Sequence, residues 1–440
     1  MNYPKLLLPN ITGLDQLDVY LANNGFKAFE KALSLERSVL IDEVKKSGLK
    51  GRGGAGFPTG LKWSFMPKVK SKPHYLCVNG DESEPGSFKD RAIIERNPFM
   101  LIEGILIASF AMNITSAYIY IRGEYESAIQ LLTKALETAY RSDYIGDGMR
   151  QKFNSDYSVD IYIVKGAGAY ICGEETSQMN SIEGKRAYPR VKPPFPAASG
   201  LWNCPTTINN VETLTSVTAV LNIGSEEYSK IGAKTQPGTM LYGVSGNITK
   251  PGVYELPTGF NLKTLIYDIC GGVPNDKKIK AVIPGGSSMP PLSPDEIDIS
   301  LDEESLKPVG SHLGTGGVIV IDEDKDLVEI THRIAEFYHH ESCGQCTPCR
   351  EGTGWMVKVL KRMVHNNATH ADIDLLIDIA NNIEGNTICA LGEAAAWPVR
   401  GFVTKFRKEF ERAVKDERNY IAPNIAYGKR NTKDDLLFDN

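Results

Sequence analysis

The residues with the most specific chemistry are four cysteines. Cys343-Gly-Gln-Cys346-Thr-Pro-Cys349 has the spacing C-x2-C-x2-C, and Cys389 follows forty residues later in Asn386-Thr-Ile-Cys-Ala-Leu-Gly392. Two-residue gaps let thiolates of one loop converge on one centre, and a tetranuclear iron–sulfur cluster takes four of them. In bacterial ferredoxins a further cysteine stands four positions after this run. Thr353 occupies that place here, so the fourth ligand must come from elsewhere, and Cys389 is the other cysteine of this region. A four-cysteine zinc site is the competing reading, although zinc sites usually pair two C-x2-C elements. His339 and His340 precede the run and read as packing or capping residues. Cys77, Cys172, Cys204 and Cys270 are scattered singly and read as small buried hydrophobes.

Two glycine-rich stretches could approach a phosphate. Gly51-Arg-Gly-Gly-Ala-Gly56 fits G-x-G-x-x-G, but a helical pattern precedes it where a dinucleotide fingerprint needs a strand. Its physical content remains: a backbone free to come close to a ligand and to present several N–H groups, with Arg52 and Lys62 adding positive charge. A structural turn is the bland alternative. Gly166-Ala-Gly-Ala-Tyr-Ile-Cys-Gly173 does follow a strand and opens a helix, where unpaired N–H groups attract anions. Two acidic groups accompany these loops. Glu174 and Glu175 could simply complement a helix dipole. Asp81, Glu82 and Glu84, with Ser83, stand at a strand's carboxyl end, where open α/β sheets bind ligands. Phe57, Phe65 and Phe195 could stack on an adenine or belong to the core.

The elements that must position these residues follow from patterning. Ser38–Lys46, Pro98–Asn113, Tyr125–Tyr140, Glu174–Ile182 and Asn210–Leu221 read as helices; Tyr75–Asn79, Ala117–Ile121 and Asp160–Val164 read as strands. Their alternation predicts an α/β layer fold with a largely parallel sheet. Residues 1–36 form an N-terminal extension, helical and irregular. From about 235 to 325 short strands alternate with Gly/Pro turns around one helix, Leu262–Cys270; from 326 to 425 a helical bundle carries the cysteines; 426–440 is a polar tail.

Composition excludes several classes. The chain has 440 residues, 42% hydrophobic and 23% charged, with a net charge of −5. That is an ordinary globular composition without the clustered Lys and Arg that nucleic-acid binding requires. Its longest apolar stretch, near Leu101–Ile114, is interrupted and too short to span a bilayer. The N-terminus carries no secretory or transit signal.

Together these stretches resemble the NADH-binding flavin subunit of respiratory complex I and of related NAD-linked hydrogenases and formate dehydrogenases. The carrying segments are Gly48–Trp63, Asn79–Asp90, Gly166–Thr176, Lys192–Pro196, Asn209–Thr213, Glu341–Gly352 and Ile388–Gly392. The resemblance implies a Rossmann-like α/β flavin domain over 37–234, a ubiquitin-like β-grasp domain of SLBB type, and a C-terminal helical bundle with a [4Fe–4S] cluster. It implies FMN, held by Gly51, Arg52, Gly53, Lys62, Asn79, Asp81, Glu82, Tyr170, Gly173, Glu174, Glu175, Asn209, Asn210 and Thr213. Gly54, Ala55, Gly56 and Ser83 complete the two FMN loops. NADH contacts fall on Phe57, Lys62, Phe65, Glu84, Glu175, Lys192 and Phe195, with Glu84 and Glu175 positioning the nicotinamide. The cluster ligands fall on Cys343, Cys346, Cys349 and Cys389. Gly80 departs from the family, where Ala is expected. The implied activity is hydride transfer from NADH to FMN, then single electrons through the cluster towards quinone. The expected partners are a small thioredoxin-like [2Fe–2S] subunit and a larger multi-cluster subunit, on the cytoplasmic side of the inner membrane. The chain shows no added thioredoxin-like or ferredoxin-like domain, which favours complex I over the alternative, a hydrogenase or formate dehydrogenase diaphorase.

Overall fold

The computed structural model describes residues 3–68 and 71–414. Four strands, β1 (Tyr75–Gly80), β2 (Ser116–Ile121), β3 (Asp160–Lys165) and β4 (Thr206–Asn210), form a parallel sheet in the order β3-β2-β1-β4. The register sets Cys77 beside Tyr118 and Ile208, and Tyr118 beside Tyr162. β1 is central, so the acidic loop at its carboxyl end opens in the middle of the sheet's upper edge.

The helix Pro98–Ala111 is apolar nearly all round and is buried nearly all round, as that pattern requires. Glu103 is the exception inside it. Its carboxylate is buried and accepts the N–H groups of Phe26 and Phe29, each at 2.9 Å, and the Tyr20 hydroxyl. A buried carboxylate tolerates this place because it is fully hydrogen-bonded. The consequence is that residues 3–36, expected as an extension, are built into the main core through Leu7, Leu14, Tyr20, Phe26 and Phe29. Glu255 repeats the device: it accepts the N–H groups of Leu6, Leu7 and Leu8 and the Thr239 hydroxyl.

A second, mixed sheet comprises β5 (Thr239–Gly246), β6 (Gly252–Pro257), β7 (Ile279–Ile283) and β8 (Gly317–Asp322), in the order β6-β5-β8-β7. β5 and β6 are an antiparallel hairpin; β8 runs parallel to β5 and antiparallel to β7. The helix expected over Leu262–Cys270 is α-helical only for Leu262–Thr264. It then widens over Leu265–Ile269, where the Cys270 N–H reaches back five residues to the Leu265 carbonyl at 3.0 Å.

The bundle consists of helices Leu327–Glu341, Thr347–Val364, His370–Ile383, Leu391–Lys405 and Arg407–Val414. Tyr338, Met356, Leu360, Leu376, Val399 and Phe402 are among its fully buried residues. Residues 415–425 of the expected helical region and the expected tail, 426–440, lie outside the described residues. Among the described residues, no helix is long and apolar enough to cross a membrane.

Candidate flavin and iron–sulfur site

One cavity of about 780 Å³ opens above β1. Its walls come from all three parts of the chain. The first glycine loop contributes Gly51 and Gly53 to Gly56; the acidic loop contributes Asp81 to Glu84; the second glycine loop contributes Tyr170, Ile171 and Gly173; the bundle contributes Cys389 and Leu391.

The first loop is pinched shut at its base. The Gly51 N–H donates to the Phe57 carbonyl at 2.8 Å, and the Thr59 N–H to the Leu49 carbonyl at 2.9 Å. Between those bonds, the N–H groups of Gly53, Gly54, Ala55 and Gly56 meet no acceptor among the described residues. Gly54 and Gly56 adopt φ of +111° and +64°, open to glycine and strained for side chains. A Cβ on Gly53 would lie 3.2 Å from Asn210 Cβ. Four unpaired N–H groups on a close-approaching backbone suit the anionic end of a flavin mononucleotide. Arg52 differs from expectation. Its side chain is fully buried and donates through Nη2 to the carbonyls of Pro237 and Thr239, so only its backbone stands at the loop. Its N–H is taken by Thr213 Oγ1 at 2.8 Å, which makes Thr213 a prop of the loop.

The acidic loop is not solvated. Asp81 is buried, with one carboxylate oxygen accepting the Ser83 hydroxyl and the other, Oδ2, without a partner. Burial pushes its pKa up to about 7. An unpartnered buried acceptor facing a cavity fits a ligand's N–H or hydroxyl donor. Glu82, expected as a ligand contact, is otherwise engaged. Its carboxylate accepts the N–H groups of Lys89, Asp90 and Arg91 at 2.7–3.0 Å and caps the helix Lys89–Arg96. Glu84 faces the other way. Its Oε2 accepts the Tyr170 hydroxyl at 2.7 Å, and its Oε1 accepts the Ser288 N–H at 2.7 Å and the Tyr338 hydroxyl at 3.3 Å. It therefore joins the parallel-sheet region to the mixed-sheet region and the bundle. Asn79 donates to the Gly173 carbonyl at 2.8 Å and accepts the Asp81 N–H, fixing the two loops at one spacing. Asn209 accepts the Trp63 indole N–H at 3.1 Å; Asn210 caps the helix Val211–Ile223. At Gly80, a Cβ would lie 3.0 Å from the Tyr120 carbonyl, so the glycine has a local reason here.

The second loop corrects the expectation of free helix N–H groups. Glu174 Oε2 accepts the N–H groups of Thr176 and Ser177, both at 2.9 Å, so the helix Glu175–Ile182 is already capped by its own carboxylate. Glu175 is held by ion pairs instead. Its carboxylate meets Lys192 at 2.5 Å and Lys62 at 3.3 Å. Burial pushes its pKa up, but the two ammonium groups outweigh that and hold it below the usual carboxylate range. This ion-pair chain ties the Lys62 helix to the Lys192–Phe195 segment. Three phenylalanines are exposed, Phe57, Phe65 and Phe195, at 45%, 54% and 61%, and the first two rings lie 6.1 Å apart. Exposed phenylalanines offer apolar surface to a planar ligand.

In the cavity wall lies a buried network that sequence reasoning missed. Lys89 pairs with Asp90 at 2.9 Å and Glu212 at 2.8 Å, and Asp90 accepts the Asn210 amide at 2.6 Å. Consecutive charges such as Lys89-Asp90 read as a solvated face, and nothing local signals their burial. Gly314, Thr315 and His312 from the mixed-sheet region and Trp397 from the bundle also line the cavity. They lie hundreds of residues from the glycine loop, with no motif to connect them.

The four cysteines stand in one apolar cluster with Tyr120, Ile171, Cys172 and Leu391. Cys343 and Cys346 occupy the loop after the helix Leu327–Glu341; Cys349 lies in the first turn of Thr347–Val364; Cys389 precedes Leu391–Lys405. Burial pushes the Cys349 thiol up to about 11 and the Cys389 thiol up to about 12. Buried thiols become thiolates when a metal centre supplies the compensating charge, so the set suits a cluster. Among the described residues, no three His, Cys, Asp or Glu side chains are gathered tightly enough to hold a single metal ion.

Comparison with known proteins agrees with this geometry. Residues 44–219 match the Nuo51 FMN-binding domain, residues 241–320 the SLBB domain, and residues 329–413 the NADH-ubiquinone oxidoreductase-F iron-sulfur binding region. The NADH-quinone oxidoreductase F subunit of Rickettsia felis is 51% identical over 380 residues, which cover 86% of this chain and 89% of the relative. The NADH-quinone oxidoreductase F 2 subunit of Rhizobium meliloti is 47% identical over 419 residues, covering 94% and 99%. Among solved structures, an NAD+-reducing [NiFe]-hydrogenase in its air-oxidized state superposes with a TM-score of 0.80 at 33% identity, over 91% of this chain and 66% of that one. The chain belongs to the family of NADH-quinone oxidoreductase F subunits, with the FMN-binding and 4Fe–4S regions that define it.

Proposed function

We propose that this chain is the NADH-oxidising flavin subunit of an NADH:quinone oxidoreductase. The observation that carries the reading is that one cavity is lined at once by the unpaired N–H groups of the first glycine loop, the unpartnered Asp81 carboxylate oxygen, and Cys389 of the cysteine set. When bound, FMN supplies a hydride acceptor and the [4Fe–4S] cluster a single-electron acceptor; the chain supplies binding, orientation and electrostatics. The N–H groups of Gly53 to Gly56 hold the phosphate. Asp81 accepts a hydrogen bond from the flavin, with Asn79, Gly173 and Asn210 setting the width of the slot. Phe57, Phe65 and Phe195 stack the adenine, and Lys62 and Lys192 balance the diphosphate. Glu84, held by Tyr170, and Glu175, held by Lys62 and Lys192, orient the nicotinamide, a proximity role. Cys343, Cys346, Cys349 and Cys389 are the cluster ligands.

The division into regions at about 37–234, 235–325 and 326–425 is part of this proposal. The strand order β6-β5-β8-β7, with a hairpin, a short helix and a parallel return strand, supports a ubiquitin-like β-grasp domain, as does the SLBB match. The partners fitting such a chain are a small thioredoxin-like [2Fe–2S] subunit and a larger multi-cluster subunit. The complex would stand at the cytoplasmic face of the inner membrane, which the chain reaches only through them. Similarity to an NAD+-reducing hydrogenase keeps a diaphorase as the second reading.

The test is the purified complex. FMN and a four-iron cluster in equal amounts with this chain, and flavin absorbance bleached by NADH, are the expected results. A colourless protein with stoichiometric zinc overturns the reading; electrons delivered to a hydrogenase partner and not to quinone favour the diaphorase.

A further inference from the structure

Ser342 is the single residue between the helix Leu327–Glu341 and Cys343, and its side chain meets a sulfur. Its Oγ lies 3.1 Å from Cys349 Sγ. The same oxygen accepts the Gly344 N–H at 3.4 Å, in a turn where Gly344 has φ of +77°. The amide thus occupies one lone pair of the hydroxyl and leaves its hydrogen to be directed. With a free thiol, either atom could donate. With a cluster in place, Cys349 is a thiolate, which can only accept, so the hydrogen bond has one possible direction: Ser342 donates to Cys349 Sγ.

The surroundings make that bond matter. Cys349 is 5% exposed, and its neighbours Ile171, Cys172 and Leu391 are apolar. A charge-assisted hydrogen bond is strong where water does not compete. Among the described residues, no other side-chain hydroxyl reaches any of the four sulfurs. The bond is also separable from the backbone of Cys349. The Cys349 carbonyl is held by the Thr353 hydroxyl at 2.8 Å, and the Ser342 N–H by the His339 carbonyl, so the ligand's backbone does not depend on the Ser342 side chain.

We propose that Ser342 is a positioning residue that sets the reduction potential of the cluster by donating a hydrogen bond to the Cys349 sulfur. The inference rests on Cys349 being a ligand. Reduction adds one electron from the flavin site to the cluster and increases the negative charge on its sulfurs. A donor at one of those sulfurs stabilises the reduced form more than the oxidised form and raises the potential.

The experiment is an EPR-monitored redox titration of the purified holo-complex with Ser342→Ala and Ser342→Thr. The expected result is a more negative cluster midpoint in Ser342→Ala, native iron and FMN content, an unmoved flavin midpoint, and recovery of the native cluster value in Ser342→Thr. An unmoved cluster midpoint in Ser342→Ala overturns the proposal, as does a Ser342→Thr midpoint displaced as far as that of Ser342→Ala. If Ser342→Ala assembles no cluster, pulsed EPR on the native complex after brief exposure to deuterated water decides. A rapidly exchanging proton coupled to the reduced cluster supports the donor, and its absence overturns it. A cluster that survives Cys349→Ala with native iron content removes the ligand assignment itself, an outcome distinct from an unmoved midpoint.

Discussion

The Glu84 carboxylate and the Tyr170 hydroxyl meet at 2.7 Å, although 86 residues separate them. The contact closes the acidic loop on the second glycine loop. The other oxygen of Glu84 holds the Ser288 N–H and the Tyr338 hydroxyl. A residue first singled out for the nicotinamide is therefore also the clasp between the regions that build the site. Removing its carboxylate strands those donors, at a cost of about 1–3 kcal/mol for a buried unsatisfied group. Glu84→Ala should lower the Tm of the FMN-loaded chain and raise the KM for NADH, whereas Glu84→Gln, which keeps one acceptor oxygen, should lower the Tm less. Thermal unfolding alongside NADH kinetics checks this; an unchanged Tm in Glu84→Ala removes the clasp.

The exposed aromatics lead to a purely binding effect. Phe65 is 54% exposed and its ring lies 6.1 Å from that of Phe57. Little fold stability rides on such a side chain. Base–aromatic stacking is worth about 1–3 kcal/mol per base, and about 1.4 kcal/mol is tenfold in affinity. Phe65→Ala should raise the KM for NADH about tenfold with Tm and FMN content unchanged. Steady-state kinetics with an artificial electron acceptor reads this directly; a native KM would take Phe65 out of the site.

How much of this was legible in the chain divides along a physical line. Features written locally were readable: the β1 strand and its acidic loop, the apolar helix from Pro98, the glycine loop, the C-x2-C-x2-C run. What a side chain does with its charge was not, because that depends on what folds over it. Arg52 was expected to lend charge to a ligand and is buried under Pro237 and Thr239. Glu82 caps a helix that begins seven residues later. The second glycine loop carries the right glycines, but Glu174 consumes the helix N–H groups they lead to. Lys89, Asp90 and Glu212 form a buried network because two separate segments meet there, and no spacing rule connects them.

Asp81 gives the site a pH signature. Burial holds its carboxyl at about 7 in the folded chain, against about 3.9 for an unfolded aspartate. Between those values the folded chain keeps a proton that the unfolded chain has released. The contribution of this group to stability is therefore fully present below about pH 4 and is lost as pH rises through about 7. Asp81→Asn carries no such titration. In the FMN-free chain, the Tm of Asp81→Asn relative to the native chain should rise from pH 4 to pH 8. Differential scanning calorimetry across that range checks it, and a difference that stays constant with pH shows that Asp81 is not perturbed.

Cys389 tests how the cavity and the cysteine set are joined. It reaches the set from a loop forty residues after Cys349, and it also forms part of the cavity wall beside Leu391. The phosphate and ring contacts proposed for FMN lie on other segments, the Gly53–Gly56 loop and Asp81. Removing the thiol should therefore separate the two cofactors. Three thiolates on one loop cannot complete a four-ligand cluster, and serine's hydroxyl stays protonated where a thiol could ionise. Cys389→Ser should lose iron, acid-labile sulfide and the reduced-cluster EPR signal while retaining FMN, with NADH still bleaching the flavin. Loss of flavin together with iron would mean that Cys389 supports the cavity wall as much as the cluster, and an intact four-iron signal would show that the fourth ligand lies elsewhere.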